Sequence, residues 1–329
     1  MRVARPPPAV MFSFPRSGVE MQFRDAPRRP FKEPIMNRIL IALPLFALVG
    51  CASAPPPAKQ PPTVAFISDF GVIDDAVAVC KGVMYGLEPR LRIVDITHNV
   101  TPFAVAEAAR LLHQCSPHFV EGTVFLAVID PGVGSERRPV VLRTKRGQFF
   151  VLPDNGLITA VIERDGIDGV REITNPAWLP EGGKSSTFHG RDIFSPVAAR
   201  LARGDDWTTV GPVVADPVKL HLPVAKTGDK GIDGELIVLD GPYGNLASNI
   251  SAGEFRALGW KLGDLLTLDI AGKAFAVPWV GTFSDVPVGH ELLYIDSRGR
   301  MAVAVNQGDF SNVHKVRPPA KIHIPRKPK

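Results

Sequence analysis

Cysteine is scarce in this chain: three in 329 residues, at positions 51, 80 and 115. No pair forms a CxxC pattern, and none stands at zinc-ligand spacing from a histidine, so a metal site is not expected. Cys80 and Cys115 each sit in an apolar, helix-like context and are expected as buried thiols, although a disulfide between them stays open. A charge excess is missing as well. Eight Lys and Arg but three Asp and Glu fall in residues 1–51, which leaves 30 of each sign beyond. A folded part so balanced gives no basis for a nucleic-acid partner. The apolar run at 39–50 is too short to span a hydrocarbon core of ~30 Å, and no internal repeat is present.

That run has the length of a signal-peptide core. Residues 36–50 read MNRILIALPLFALVG, one arginine followed by apolar residues, and end in Leu48-Val49-Gly50-Cys51. The ending resembles the lipobox of bacterial lipoproteins, whose cysteine becomes the lipidated first residue. Residues 36–51 are therefore expected to be a lipoprotein signal, with Cys51 as a lipid anchor to the outer membrane facing the periplasm. A misread signal would leave the protein in the cytoplasm. Residues 52–62, rich in proline, suit an extended tether. Residues 1–35, rich in Arg and Pro without apolar periodicity, look like an upstream mis-start.

From residue 63 strand and helix patterns alternate. TVAFI (63–67) reads as a strand running into Ser68-Asp69-Phe70-Gly71. Residues 74–87 carry apolar side chains at helical spacing, with Asp74 and Asp75 where a helix N-terminus favours carboxylates. Residues 92–96 and the wholly apolar TVFLAVI (123–129) read as strands, 105–115 as a helix, and 140–144 with 148–152 as a hairpin. Helical patterns follow at 156–164 and 193–202. The alternation predicts an α/β domain over 63–222, with a mostly parallel sheet covered by helices. Its ligand site is expected at the carboxyl ends of the strands, where Asp69 and Asp130 fall. Beyond a Gly/Lys/Asp-rich connection, segments 234–240, 265–270, 273–278, 291–295 and 301–305 are short and β-like. They predict a smaller all-β, barrel-like domain over 233–325. Residues 240–249 and 297–300 read as its loops.

Two segments carry the chemistry, IDPGVGSERRP (129–139) and STFHGRDIFSP (186–196). Asp130 ends an apolar run, Arg137 follows across a glycine-rich turn, and His189 stands between Phe188 and Gly190. A carboxylate, a permanent cation and an imidazole at strand-to-loop junctions can position and polarise a water molecule. Taken alone, the same residues could be an ion pair closing a turn and a histidine capping a helix.

The order of motifs decides between these. SDFG (68–71) with Asp74-Asp75, CKG (80–82), DITHNVTPF (95–103), DPGVGSERR (130–138), DNG (154–156), FHGRD (188–192), GNLASNI (244–250) and DSRG (296–299) occur in sequence. Together they resemble the S-adenosyl-L-methionine hydroxide adenosyltransferases, relatives of the fluorinase and chlorinase enzymes. The resemblance implies hydrolysis of S-adenosyl-L-methionine to adenosine and L-methionine by attack of water at ribose C5′, without a metal or cofactor. It also implies a homotrimer with the ligand between the α/β domain of one subunit and the β domain of its neighbour. Halide-using relatives place tyrosine and serine where this chain has Asp130 and Gly190, and the inserted loop typical of the fluorinase is absent between 143–145 and 147–149. Both departures favour water. In the roles implied, Arg137 stabilises a forming hydroxide, Asp130 orients it, and His189, with an unperturbed pKa near ~6.5, accepts the proton. Asp69 takes the ribose hydroxyls beside Phe103, Asn245 the adenine edge, and Phe188 and Phe283 the adenine faces. Asp240 suits the methionine amine, and Ser297 with Arg298 its carboxylate. Ala76 replaces a serine found in relatives.

Two other readings compete. SDFGVIDDA is similar to the loop of calcium-dependent nucleoside hydrolases, but Ile67 replaces an aspartate that a hard cation would need. A non-catalytic nucleoside- or S-adenosylmethionine-binding lipoprotein would fit the leader. It would have no use for a water-orienting set.

Overall fold

The computed structural model describes residues 61–183 and 185–328. The expected mis-start, leader, Cys51 and all but the last two residues of the tether lie outside them. Strands β1 (Thr63–Ser68), β2 (Arg92–Thr97), β3 (Val124–Val128), β4 (Pro139–Thr144), β5 (Phe149–Pro153) and β6 (Ile167–Glu172) form one sheet in the order β2-β1-β3-β5-β4-β6. The first four in that order run parallel, and β4 reverses against both its neighbours. Helices α1 (Ala76–Leu87), α2 (Val105–Cys115), α3 (Thr159–Asp165) and α4 (Ser195–Arg203) cover it.

The two-residue period of a strand sorts its side chains between two cores. Val64 and Phe66 of β1, with Val124, Leu126 and Val128 of β3, pack on Met84 of α1 and Val197 of α4. Ala65, Ile67, Phe125 and Ala127 face the other way, onto Leu112 of α2 and Val161 of α3. Burying a side chain of this size contributes about 1.5–3 kcal/mol, so both faces must be apolar, and the strands read as unbroken hydrophobic runs. Phe125 also stacks on Phe150, ring centroids 4.7 Å apart. Cys80 and Cys115 are free thiols. Burial pushes both up to about 11.

The second sheet holds β7 (Lys226–Thr227), β8 (Gly231–Asp240), β9 (Asn245–Ser251), β10 (Leu265–Ile270), β11 (Lys273–Pro278), β12 (Glu291–Ile295), β13 (Arg300–Val305) and β14 (Ala320–Pro325). Their order is β11-β10-β14-β8-β9-β13-β12, with β7 on β8, and all these strand pairs are antiparallel. A bridge from Trp279 to Leu293 links the two ends and nearly closes a barrel around Leu236, Leu246, Leu268, Phe255 and Phe310. β9 lies largely within a stretch read as loop from sequence. Its polar residues are satisfied inside the sheet: the Ser248 hydroxyl donates to the Met301 carbonyl at 2.8 Å.

Candidate active site

β1 and β3 are parallel neighbours with Ser68 opposite Val128. Asp69 and Asp130 therefore emerge side by side at their carboxyl ends, where open α/β sheets bind ligands. The turn after Asp130 folds Arg137 back onto it. Arg137 Nε donates to both Asp130 oxygens, at 2.9 and 3.0 Å, and Nη2 donates to Oδ2 and, at 2.6 Å, to His189 Nδ1. Glycine is required in that turn: a Cβ at Gly134, whose φ is +79°, would lie 2.6 Å from the Ser186 carbonyl oxygen. The Phe194 ring lies 5.2 Å from the guanidinium. The pair is nearly dry, with the Arg137 and Asp130 side chains 10% and 6% exposed.

This hydrogen bonding fixes a proton. A guanidinium only donates, so His189 Nδ1 accepts, and the neutral ring carries its hydrogen on Nε2. The proton-acceptor role expected from sequence would require the ring to break its contact with Arg137. The other acceptor in the cluster is the Asp130 carboxylate, which also accepts from Arg137 through both oxygens.

A cavity of about 230 Å³ opens over the cluster, lined by Asp69, Phe70, Phe103, Asp130, Phe188, His189 and Gly190 among others. Asp69 Oδ2 accepts from the Phe103 backbone N–H at 2.9 Å. One carboxylate oxygen thus also holds the Phe103 loop. Phe70, given no role above, stands edge-on to Phe188 at 5.8 Å. Gly190 lets the rings approach, since a Cβ there would meet Phe70 Cζ at 2.8 Å. Behind Asp69 runs a chain of contacts: the Ser68 hydroxyl meets His98 Nδ1 at 2.8 Å, His98 Nε2 meets Asp95 at 3.1 Å, and Lys81 donates to Asp95 at 2.6 Å. Burial holds His98 below the ordinary imidazole pKa, with Asp95 pulling the other way.

The remaining predicted residues, Asp240, Asn245, Phe283, Ser297 and Arg298, line a different cavity of about 240 Å³ on the second sheet. There Asn245 Nδ2 donates to Asp240 at 3.3 Å. Asp296 Oδ1 accepts from the backbone of Arg298 and Arg300, each at 2.9 Å, and shapes the turn that exposes Ser297 and Arg298. Tyr294 packs on Phe283 at 5.0 Å. Burial, with Asp240 and Asp296 nearby, pushes its phenol up to about 12. Sequence reasoning missed Asp296 as a turn-former and Tyr294, although Asp296 belongs to the DSRG run. The two cavities share no lining residue, so one chain does not bring Phe188 and Phe283 together. Each is also below the roughly 300–1,000 Å³ of ordinary ligand pockets. Among the described residues no group of three or more His, Cys, Asp or Glu is placed to hold a metal.

Comparison with known proteins places this architecture. The model of the SAM hydroxide adenosyltransferase N-terminal domain matches residues 64–211, and that of the C-terminal domain matches 234–323. This chain belongs to that family. Within the SAM hydroxide adenosyltransferases it is 38% identical to an (R)-S-adenosyl-L-methionine hydrolase of Salinispora arenicola, over 80% of this chain and 97% of the relative. A second protein of that name, from Thermus thermophilus, is 36% identical over 74% of this chain and 92% of its own length. A fluorinase from an Actinoplanes species is 35% identical over 76% and 93%. The crystal structure of an uncharacterized conserved protein from Thermotoga maritima is similar at a TM-score of 0.76 and 37% identity, covering 79% of this chain and 99% of that one.

Proposed function

We propose that this chain hydrolyses S-adenosyl-L-methionine to adenosine and L-methionine. The observation that carries the reading is the buried Asp130–Arg137–His189 cluster facing a cavity shared with Asp69, in a chain 36–38% identical to proteins named as hydrolases of this substrate. The water oxygen attacks ribose C5′, the C5′–S bond breaks, and its electron pair leaves with sulfur as the neutral thioether of methionine. The water loses one proton. Asp130 takes it and returns it to solvent, while Arg137 lowers the free energy of the forming hydroxide. Neutral His189 holds the guanidinium in plane through Nδ1. A carboxylate at this place repels a halide but accepts a hydrogen bond from water, which favours hydrolysis over halogenation.

In the same reading Asp69 and Phe103 hold the ribose, and Phe188, Phe283 and Asn245 the adenine. Asp240 takes the methionine amine, and Ser297 with Arg298 its carboxylate. The separation of these residues into two small cavities supports a homotrimer in which the site closes between subunits. Cys51 is the proposed lipid anchor, supported by the leader ahead of it. The test is product analysis in ¹⁸O-enriched water: adenosine labelled at the 5′ oxygen is expected. Unchanged substrate that remains tightly bound would instead support a non-catalytic binder, and unlabelled adenosine would rule out attack of solvent at C5′.

A further inference from the structure

The largest cavity among those described, about 780 Å³, is neither of the two above. It lies between the α2–α3 face of the first sheet and the second sheet, and Arg110, Gln114, Arg300 and the apolar residues Leu222, Val224 and Ile237 contribute to its wall. Here the usual satisfaction of buried polar groups fails. Arg110 Nε, both amide atoms of Gln114 and Arg300 Nη1 are buried with no hydrogen-bond partner among the described residues. Arg143 and Arg200 also leave Nε unpartnered, but each reaches an aspartate through another nitrogen, and Arg137, Arg138 and Arg164 are paired with Asp130, Asp154 and Asp165. Arg110 and Arg300 instead share one cavity. Burial lowers the pKa of both; at Arg110 the charge of Glu107 opposes this, and Arg300 then lowers it further.

The acids on the wall do not supply the missing partner. Glu254 is committed to capping its own helix, where it accepts from the Ser251 backbone and hydroxyl at 2.8 and 2.6 Å. Glu163 is exposed and hydrogen-bonds neither arginine. Two desolvated guanidiniums and an amide donor without acceptors match the several oxygens of a phosphate group, which arginine binds through its fork. The volume exceeds what a bare oxyanion fills, and the apolar wall offers a surface for an organic substituent.

We propose that Arg110, Gln114 and Arg300 form a binding site for the phosphate group of a small molecule. Ser297 and Arg298 line both this cavity and the one on the second sheet. Fixing Arg300 therefore orders the turn that holds the methionine carboxylate, a consequence that rests on the hydrolase reading.

Calorimetric titration of the full protein with phenyl phosphate, inorganic phosphate and phenol tests the site without any assay of activity. Phenyl phosphate should bind once per chain and phenol should not. Arg110→Gln or Arg300→Gln should weaken binding at least tenfold, while Arg300→Lys, which keeps the charge, should bind between the two. Equal affinity for inorganic phosphate assigns the site to the free anion, and tighter binding of phenyl phosphate assigns it to an organic one. Absence of binding by both phosphates, or equal binding to the wild type and both glutamine variants, overturns the proposal. Saturating phenyl phosphate should lower KM for S-adenosyl-L-methionine and leave kcat unchanged. Binding without a change in KM would retain the site and refute the coupling.

Discussion

Replacing Arg137 by lysine keeps the charge and removes the fork. The guanidinium serves three acceptor atoms at once, both oxygens of Asp130 and, at 2.6 Å, His189 Nδ1. A single ammonium at the end of a flexible stem reaches the carboxylate or the imidazole, but not both in the same plane. Losing one hydrogen bond to a charged group costs about 1.5–3 kcal/mol. If that loss falls on the transition state, kcat drops roughly 10- to 150-fold. Arg137→Met is a harsher change. It strands the Asp130 carboxylate, 6% exposed, without its counter-charge. Breaking a buried pair in this way costs about 3–5 kcal/mol, or roughly 6–20 °C in Tm for a domain of this size. Adenosine formation measured by chromatography at saturating and low substrate separates kcat from KM, and scanning calorimetry reports stability. A lysine variant within twofold of wild type in kcat would refute the role given to the guanidinium. So would a lysine variant that melts as early as the methionine one, since the side chain would then be structural.

Three further outcomes are expected. Asp130→Asn and Arg298→Ala variants, each inactive alone, should regain activity when co-expressed in equal amounts, because in mixed rings of the proposed homotrimer about a quarter of the sites would draw an intact half from each subunit; no recovery would place the whole site within one chain. Asp69→Asn keeps an acceptor for the Phe103 backbone and should raise KM mildly, whereas Asp69→Ala releases that loop and should raise it far more. Equal effects would show that the contact at 2.9 Å does not matter. The Cys80 and Cys115 thiols titrate near 11, above their ordinary 9.0, so the unfolded chain loses these protons first as pH rises. Stability is then complete below pH 9 and falls between pH 9 and 11, by on the order of 2 kcal/mol for each thiol. Urea melts at pH 8 and 10 measure it, and rapid labelling of either native thiol at pH 8 would contradict it.

The central strands of the first sheet were legible because burial on both faces leaves its mark in sequence: TVAFI and TVFLAVI admit little else, whereas the half-exposed edge strand β6 was not read. The second sheet was legible only where its strands alternate. β9 hides because Asn245 and Ser248 are polar yet buried, and only their partners across the sheet explain that. The site was legible as residue types and order, not as geometry. An offset of seven across a glycine turn from Asp130 to Arg137 suggests an ion pair. No spacing reveals that Arg137 also occupies His189 Nδ1, nor that Asp69 accepts from the Phe103 backbone. Phe70 and Tyr294 escaped notice because an aromatic residue beside a strand is more often core than site. The split into two cavities depends on how the sheets pack, which no local pattern encodes.

The chain from Ser68 through His98 to Asp95 has the order of contacts by which serine esterases are recognised. Yet Ser68, the last residue of β1, has no exposed surface. No ester can approach that hydroxyl, and no acyl group could be housed there. A geometric search for such triads would therefore return a false nucleophile here, and what separates it from a working one is access rather than alignment.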